Sequence, residues 1–109
     1  MAVSTPAWAQ RVIGAHVSVA GRAVSHAKRL DGRRYFVWEE DDRDDWMADD
    51  RHAEFSVCGS TDLFTEVEFD PWVPALGAAF DEAGFSWRFT GTTFEPDTGL
   101  FHHSWEWTT

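Results

Sequence analysis

The chain has 109 residues and a formal net charge of −10, with nineteen acids against nine basic residues. That length makes one domain, and 43% hydrophobic residues with 16% aromatics supply one packed core, which argues against global disorder. The single cysteine, Cys58, excludes an internal disulfide, and no run nears the roughly 20 apolar residues of a membrane helix.

In chain order, Thr5-Pro6 starts a short helix carrying Trp8, Val12 and Ile13, with Gly14 as its stop. Ala15, Val17 and Val19 then alternate as a strand does, and residues 22 to 31 fit either a loop or a helical turn. Arg33 to Glu40, RRYFVWEE, reads as a strong strand. Tyr35 and Val37 face one side, Phe36 and Trp38 the other. A strand apolar on both faces is either central in its sheet or covered by a neighbouring subunit.

The run from Glu39 to Asp50 holds eight acids in twelve positions. Three readings are open: a solvated loop between strands, an electronegative surface facing DNA or a basic partner, and a calcium loop. The last is weak, because the run lacks the central Gly and the terminal Glu of an EF-hand. Charge is divided along the chain. Residues 1 to 30 contain Arg11, Arg22, Lys28 and Arg29 and no acid, whereas the remainder sets nineteen acids against five arginines, a net of −14. Such asymmetry in a small domain predicts distinct surfaces. Trp46, set among the acids, would anchor a partner if exposed.

From residue 53 to 107 the pattern is strand, tight turn, capped helix, strand, turn, strand: a βαββ unit. Ala53, Phe55, Val57 and Gly59 share one strand face. Asp70 is placed to cap the helix, Pro71 occupies its first position, and Gly84 ends it. Trp72, Leu76, Ala79, Phe80 and Ala83 form one apolar stripe. After the helix, Phe85, Trp87 and Phe89 share a face read as core. The last strand sets Phe101, His103, Trp105 and Trp107 on one face and Leu100, His102, Ser104 and Glu106 on the other. FEPDTG, Phe94 to Gly99, is the turn between the last two strands. The fold class that follows is α+β: a single-domain α/β sandwich, its sheet mixed or antiparallel, with flanking helices.

Motifs for catalysis are not evident. His102 and His103 are adjacent on a strand and point apart, and His16, His26 and His52 have no ligand spacing. No GxSxG elbow frames a serine, and neither phosphate-binding glycine pattern is present. The expectation is therefore no catalytic residue, no cofactor and no metal.

RYFVWEED, the acidic run, HAEFSVCGSTDLFT, EFDPWVPALGAAFDEAGFSW and FEPDTGLFHHSWEW come in an order that resembles the tail-terminator or tail-completion proteins of long-tailed bacteriophages. Three motifs carry the resemblance: a strand ending in the corner Asp62 to Thr65, a helix starting at Phe69 to Pro71 and ending Ala83 to Phe85, and the turn from Glu95 to His102. It covers about residues 33 to 107.

The resemblance implies a structural virion protein rather than an enzyme. Copies would form a ring, a hexamer in the family, that caps the tail tube, ends its growth and joins it to the head-completion proteins of the neck. It implies a location at the tail-neck region of the virion, with assembly in the host cytoplasm and no membrane contact. DNA would pass an acidic lumen without specific binding, since like charges repel. The expected subunit contact sets Arg22, Lys28 or Arg29 of one copy beside Asp41, Asp42, Asp44, Asp45 and Trp46 of the next. The competing reading is an acidic inhibitor that mimics DNA before a DNA-binding enzyme.

Overall fold

A computed structural model describes residues 5–22, 24–41 and 56–109 of the chain. The described elements are helix α1 (Ala7–Ala20), strands β1 (Ser25–His26), β2 (Arg34–Glu40) and β3 (Cys58–Thr65), helix α2 (Trp72–Ala83), and strands β4 (Ser86–Glu95) and β5 (Leu100–Thr108). The five strands lie in the order β1-β2-β3-β5-β4. β1 runs parallel to β2 and every other pairing is antiparallel, so the sheet is mixed. The α+β class and the βαββ unit are both present.

α1 is longer than the sequence pattern suggests. Gly14 does not stop it, and Ala15, Val17 and Val19 continue the helix rather than forming a strand. The reason is the 3.6-residue period of burial: Ala9, Val12, Ala15 and His16 all turn inward. Gly14 is exposed on the opposite side, where its cost of about 1 kcal/mol against Ala is outweighed by that stripe. The true stop is Gly21, in the left-handed conformation (φ 72°), whose N–H donates to the Val17 carbonyl at 2.7 Å. Residues 24 to 31 hold β1 and otherwise irregular chain.

β3 begins at Cys58, so Asp62 to Thr65 lie within the strand and do not form a corner. The expected strand residues Ala53 and Phe55 lie outside the described residues. Glu39 and Glu40 of the acidic run belong to β2. Asp41 follows the strand directly, and Asp42, Asp44, Asp45 and Trp46 lie outside the described residues.

α2 follows the sequence reading closely. Leu76 and Phe80 are fully buried, and Trp72, Ala79 and Ala83 pack around them. Asp70 caps the start, its Oδ1 accepting the Trp72 N–H at 2.9 Å, and Gly84 closes the end in the left-handed conformation (φ 80°). Both helices lie on one face of the sheet. Between them and it sit Phe36, Trp38, Leu63, Phe85, Trp105 and Trp107.

The opposite face carries a smaller cluster of Tyr35, Val37, Phe64 and Leu100. β2 is indeed apolar on both faces, and it has a strand on either side. No neighbouring subunit is needed to bury it, because Tyr35 and Val37 are already only 5% and 7% exposed in the single chain.

One mismatch of length shapes the surface. A helix of 12 residues spans roughly 18 Å, whereas a strand of ten spans about 33 Å. α2 therefore cannot cover the whole β4–β5 hairpin, and nearly all of β4 is exposed. Trp87 and Phe89, expected in the core, lie only at its margin. Trp87 rests on Gly77 of α2, where an added Cβ would come within 2.7 Å of the indole, and its Nε1–H donates to Asp81 at 2.8 Å. The turn of the hairpin is shorter than FEPDTG, since Phe94 and Glu95 still belong to β4.

Candidate interaction surface

The open face of the sheet holds a Ser/His/Asp group, and its geometry decides what it can do. β3 and β5 pair Asp62 with Ser104 and Phe64 with His102. His102 Nε2 lies 2.7 Å from Asp62 Oδ1, and the Ser104 hydroxyl sits 3.1 Å from that same oxygen and 3.2 Å from that same nitrogen. In a nucleophilic triad the serine and the carboxylate occupy different ring nitrogens. Here they compete for one. The other nitrogen, Nδ1, is 4.0 Å from Glu95 Oε2, beyond hydrogen-bond reach, and Glu95 is held by Arg29 and Thr98. The group is a surface hydrogen-bond cluster, braced by His102 stacked on Phe64 at 4.6 Å.

His16 is the most perturbed base. It is fully buried between Phe36 and Phe80. Its Nδ1 lies 2.7 Å from the Val12 carbonyl, which only accepts, so Nδ1 carries the proton. Nε2 then accepts from the Thr61 hydroxyl at 2.8 Å, and Thr61 accepts from Trp107 Nε1–H at 2.9 Å. This chain ties β5, β3 and α1 together through the core. Burial disfavours the imidazolium and lowers the His16 pKa from 6.5 to about 4, against a smaller upward pull from the Val12 carbonyl. Below pH 6.5 the unfolded chain therefore binds a proton that the fold refuses. Stability should fall by about 3 kcal/mol between pH 6.5 and 4, with no further loss from this group below that. Chemical denaturation at pH 7, 5 and 4 checks this, and His16→Leu should flatten the dependence in that window.

The described basic residues of the expected contact do not act as one patch. Arg29 is committed within its own chain, with two hydrogen bonds to Glu95 at 2.9 and 3.3 Å. Arg22 donates to the Arg34 carbonyl at 3.0 Å. Lys28 is exposed. Asp41 is exposed at the end of β2. Among the described residues no group of three His, Cys, Asp or Glu is placed to hold a metal ion.

The feature that sequence reasoning missed is apolar and exposed. On the helix-bearing side, beyond the start of α2, Val67 is 47% exposed, Phe69 87%, Phe89 41% and Phe94 52%. A cleft of about 400 Å³ opens here between the start of α2 and β4, with His103 at its base. β4 is also an outer strand of the sheet, so its far edge has no strand partner among the described residues. The signal available beforehand was length, because the strand pattern before the Glu95–Leu100 turn outruns the helix meant to cover it.

No protein family model matches the chain, and no curated protein matches it. The reading of its function rests on its own residues and on the motifs given above.

Proposed function

We propose that the protein is a structural assembly component of the tail-terminator type. Copies join into a ring, by the resemblance a hexamer, that caps a phage tail tube, ends its elongation and meets the head-completion proteins. The observation that supports this most is the edge strand β4. It offers ten residues of backbone with exposed Phe89 and Phe94 beside it. Soluble proteins usually shorten, charge or cover such an edge to prevent pairing. Of its ten residues only Arg88 and Glu95 are charged, and both are tied to side chains of their own sheet face or loop, Glu106 and Arg29. An edge left open in this way suits the addition of another chain.

The acidic balance fits a lumen that DNA crosses without sticking. With Arg29 already used, Arg22 and Lys28 are the basic residues left for a charged contact with the acidic run of the next copy. That part of the contact would weaken with salt, over a screening length of about 8 Å at physiological ionic strength.

Negative-stain microscopy of the purified protein at high concentration, with and without tail tubes, should reveal rings with a central hole. Phe94→Lys places a charge beside the open edge and should abolish them, while folding stability shifts by no more than about 1 kcal/mol because the site is exposed. Particles assembled without the protein decide the role. Tails of uniform, normal length joined to heads in its absence would sink the assignment.

A further inference from the structure

We propose that the free protein pairs with a second copy of itself, edge strand β4 against edge strand β4, across a twofold axis at Thr92. The inference goes beyond the ring reading and does not rest on it, because a twofold contact closes on two copies.

β4 is a palindrome when its positions are counted on β5. Arg88 and Glu95 stand opposite Glu106 and Leu100, and Phe89 and Phe94 stand opposite Trp105 and Phe101. Both pairs are centred on His103, the position opposite Thr92. The bare sequence hides this symmetry. Arg88 and Glau95 differ by an odd number of positions, so a regular strand would point them to opposite faces. The bulge between Phe89 and Gly91 adds one residue and returns them to the same face. Gly91 sits there at φ 141°, a conformation that favours glycine.

A second β4, turned about Thr92 and antiparallel to the first, meets complementary side chains. Phe89 faces Phe94 of the second copy and Arg88 faces its Glu95, and the axis repeats each contact. Thr90 and Gly91, the bulged residues, face Thr93 of the second copy, two against one as a bulge requires. The aromatic pairs fall on the helix-bearing side and the charge pairs on the open side. Phe89 and Phe94 are both exposed in the single copy, and the cleft of about 400 Å³ beside Phe89 leaves room for the incoming ring. Arg88 is largely exposed and Glu95 partly so, which lets their bonds to Glu106 and Arg29 be shared with the facing charge. Cross-strand charge pairs set the register, while the ladder hydrogen bonds and aromatic pairs supply the strength. The pairing covers an edge that soluble proteins have reason to hide. It also occupies the edge that the ring would use, so dimer and ring exclude each other at this strand.

The test is a charge swap read by sedimentation velocity over a concentration series. Arg88→Glu alone sets two Glu pairs across the axis, and Glu95→Arg alone sets two Arg pairs. Each variant should dimerise about tenfold more weakly than the parent, since both facing pairs become like charges. An equimolar mixture of the two restores opposite charge at both positions and should pair about tenfold more tightly than either variant alone. A second measurement is independent of charge. Thr92→Cys, with Cys58→Ser, places two thiols on the axis. Residues directly opposite are about 4.5–5.5 Å apart between Cα atoms, within the roughly 4.4–6.8 Å that a disulfide spans. Mild oxidation should cross-link this variant, whereas Thr93→Cys in the same background faces the bulge of the second copy and should stay largely monomeric on a non-reducing gel. A parent that stays monomeric throughout the series, a mixture that pairs no better than its components, or equal cross-linking at positions 92 and 93 would overturn the proposal. Rings seen without any such dimer would overturn it while leaving the ring reading in place.

Discussion

Asp70→Ala should destabilise the fold by about 2–4 kcal/mol, through the lost acceptor at the helix start and an orphaned buried hydroxyl. Asp70 is 1% exposed and joins three elements at one carboxylate. Its Oδ2 accepts from Arg34 Nε at 2.9 Å and from the buried Thr65 hydroxyl at 2.7 Å. Its Oδ1 accepts from a second Arg34 nitrogen and from the Trp72 N–H that opens α2. Arg34 lies in turn over the Trp72 ring, 3.9 Å from its centre. Alanine would orphan a hydroxyl and a helix-start donor and leave the half-exposed guanidinium without its carboxylate partner. Asp70→Asn keeps acceptors for Thr65 or Trp72 and should cost less, roughly 1–2 kcal/mol, because the half-exposed Arg34 can turn to water. Burial by itself would raise the Asp70 pKa, but the hydrogen bonds from Arg34, Trp72 and Thr65 outweigh it and hold the carboxyl below its ordinary value. Its contribution is thus complete above the ordinary carboxylate range, about pH 4, and is lost as pH falls through the lowered value. The His16 window lies above that, so the two groups separate in one pH series. A melting temperature for Asp70→Ala matching that of the parent would break this account.

How much of this was legible beforehand differs from element to element. α2 was fully legible because local and tertiary signals agree there: Asp70-Pro71 to open, Gly84 to close, and one stripe between. α1 was half legible. Gly14 looks like a stop, and Ala15, Val17 and Val19 alternate by chance, yet burial of Ala15 and His16 requires a helical period. Propensity is a weak signal where a buried stripe opposes it. The alternation along β4 gave the face of Trp87 and Phe89 but not what covers that face, which depends on the length and placement of α2. Arg29 was legible as a positive charge and illegible as a bound one, because its partner Glu95 is 66 residues away. The interaction surface was hidden for the same reason. Phe94 reads as the first residue of the FEPDTG turn and Phe69 as part of the helix start, and neither pattern says that the helix layer ends short of them.

Beneath α2 the core is fully closed, with Leu76 and Phe80 both without exposed surface. Phe80→Ala should cost about 3–5 kcal/mol, as truncations of buried aromatic residues do. Phe80 has no exposed surface. Its ring stacks on Phe85 at 5.7 Å, meets Trp87 at 6.2 Å and stands edge-on to His16 at 5.6 Å. Truncation removes the largest buried side chain of α2 and leaves a void that rigid neighbours, Phe85 and Trp87 among them, cannot fill without moving. The void also borders the imidazole of His16, which owes its low pKa of about 4 to burial. Water entering beside it should let that pKa rise toward 6.5, so the variant loses part of the acid dependence along with its stability. The two effects have separate readouts: a denaturant midpoint at pH 7, and the NMR titration of the His16 ring. A midpoint that barely moved would mean that α2 is not docked on the sheet as described. A midpoint that fell while the His16 titration stayed put would show that the core closes over the missing ring and keeps the imidazole dry.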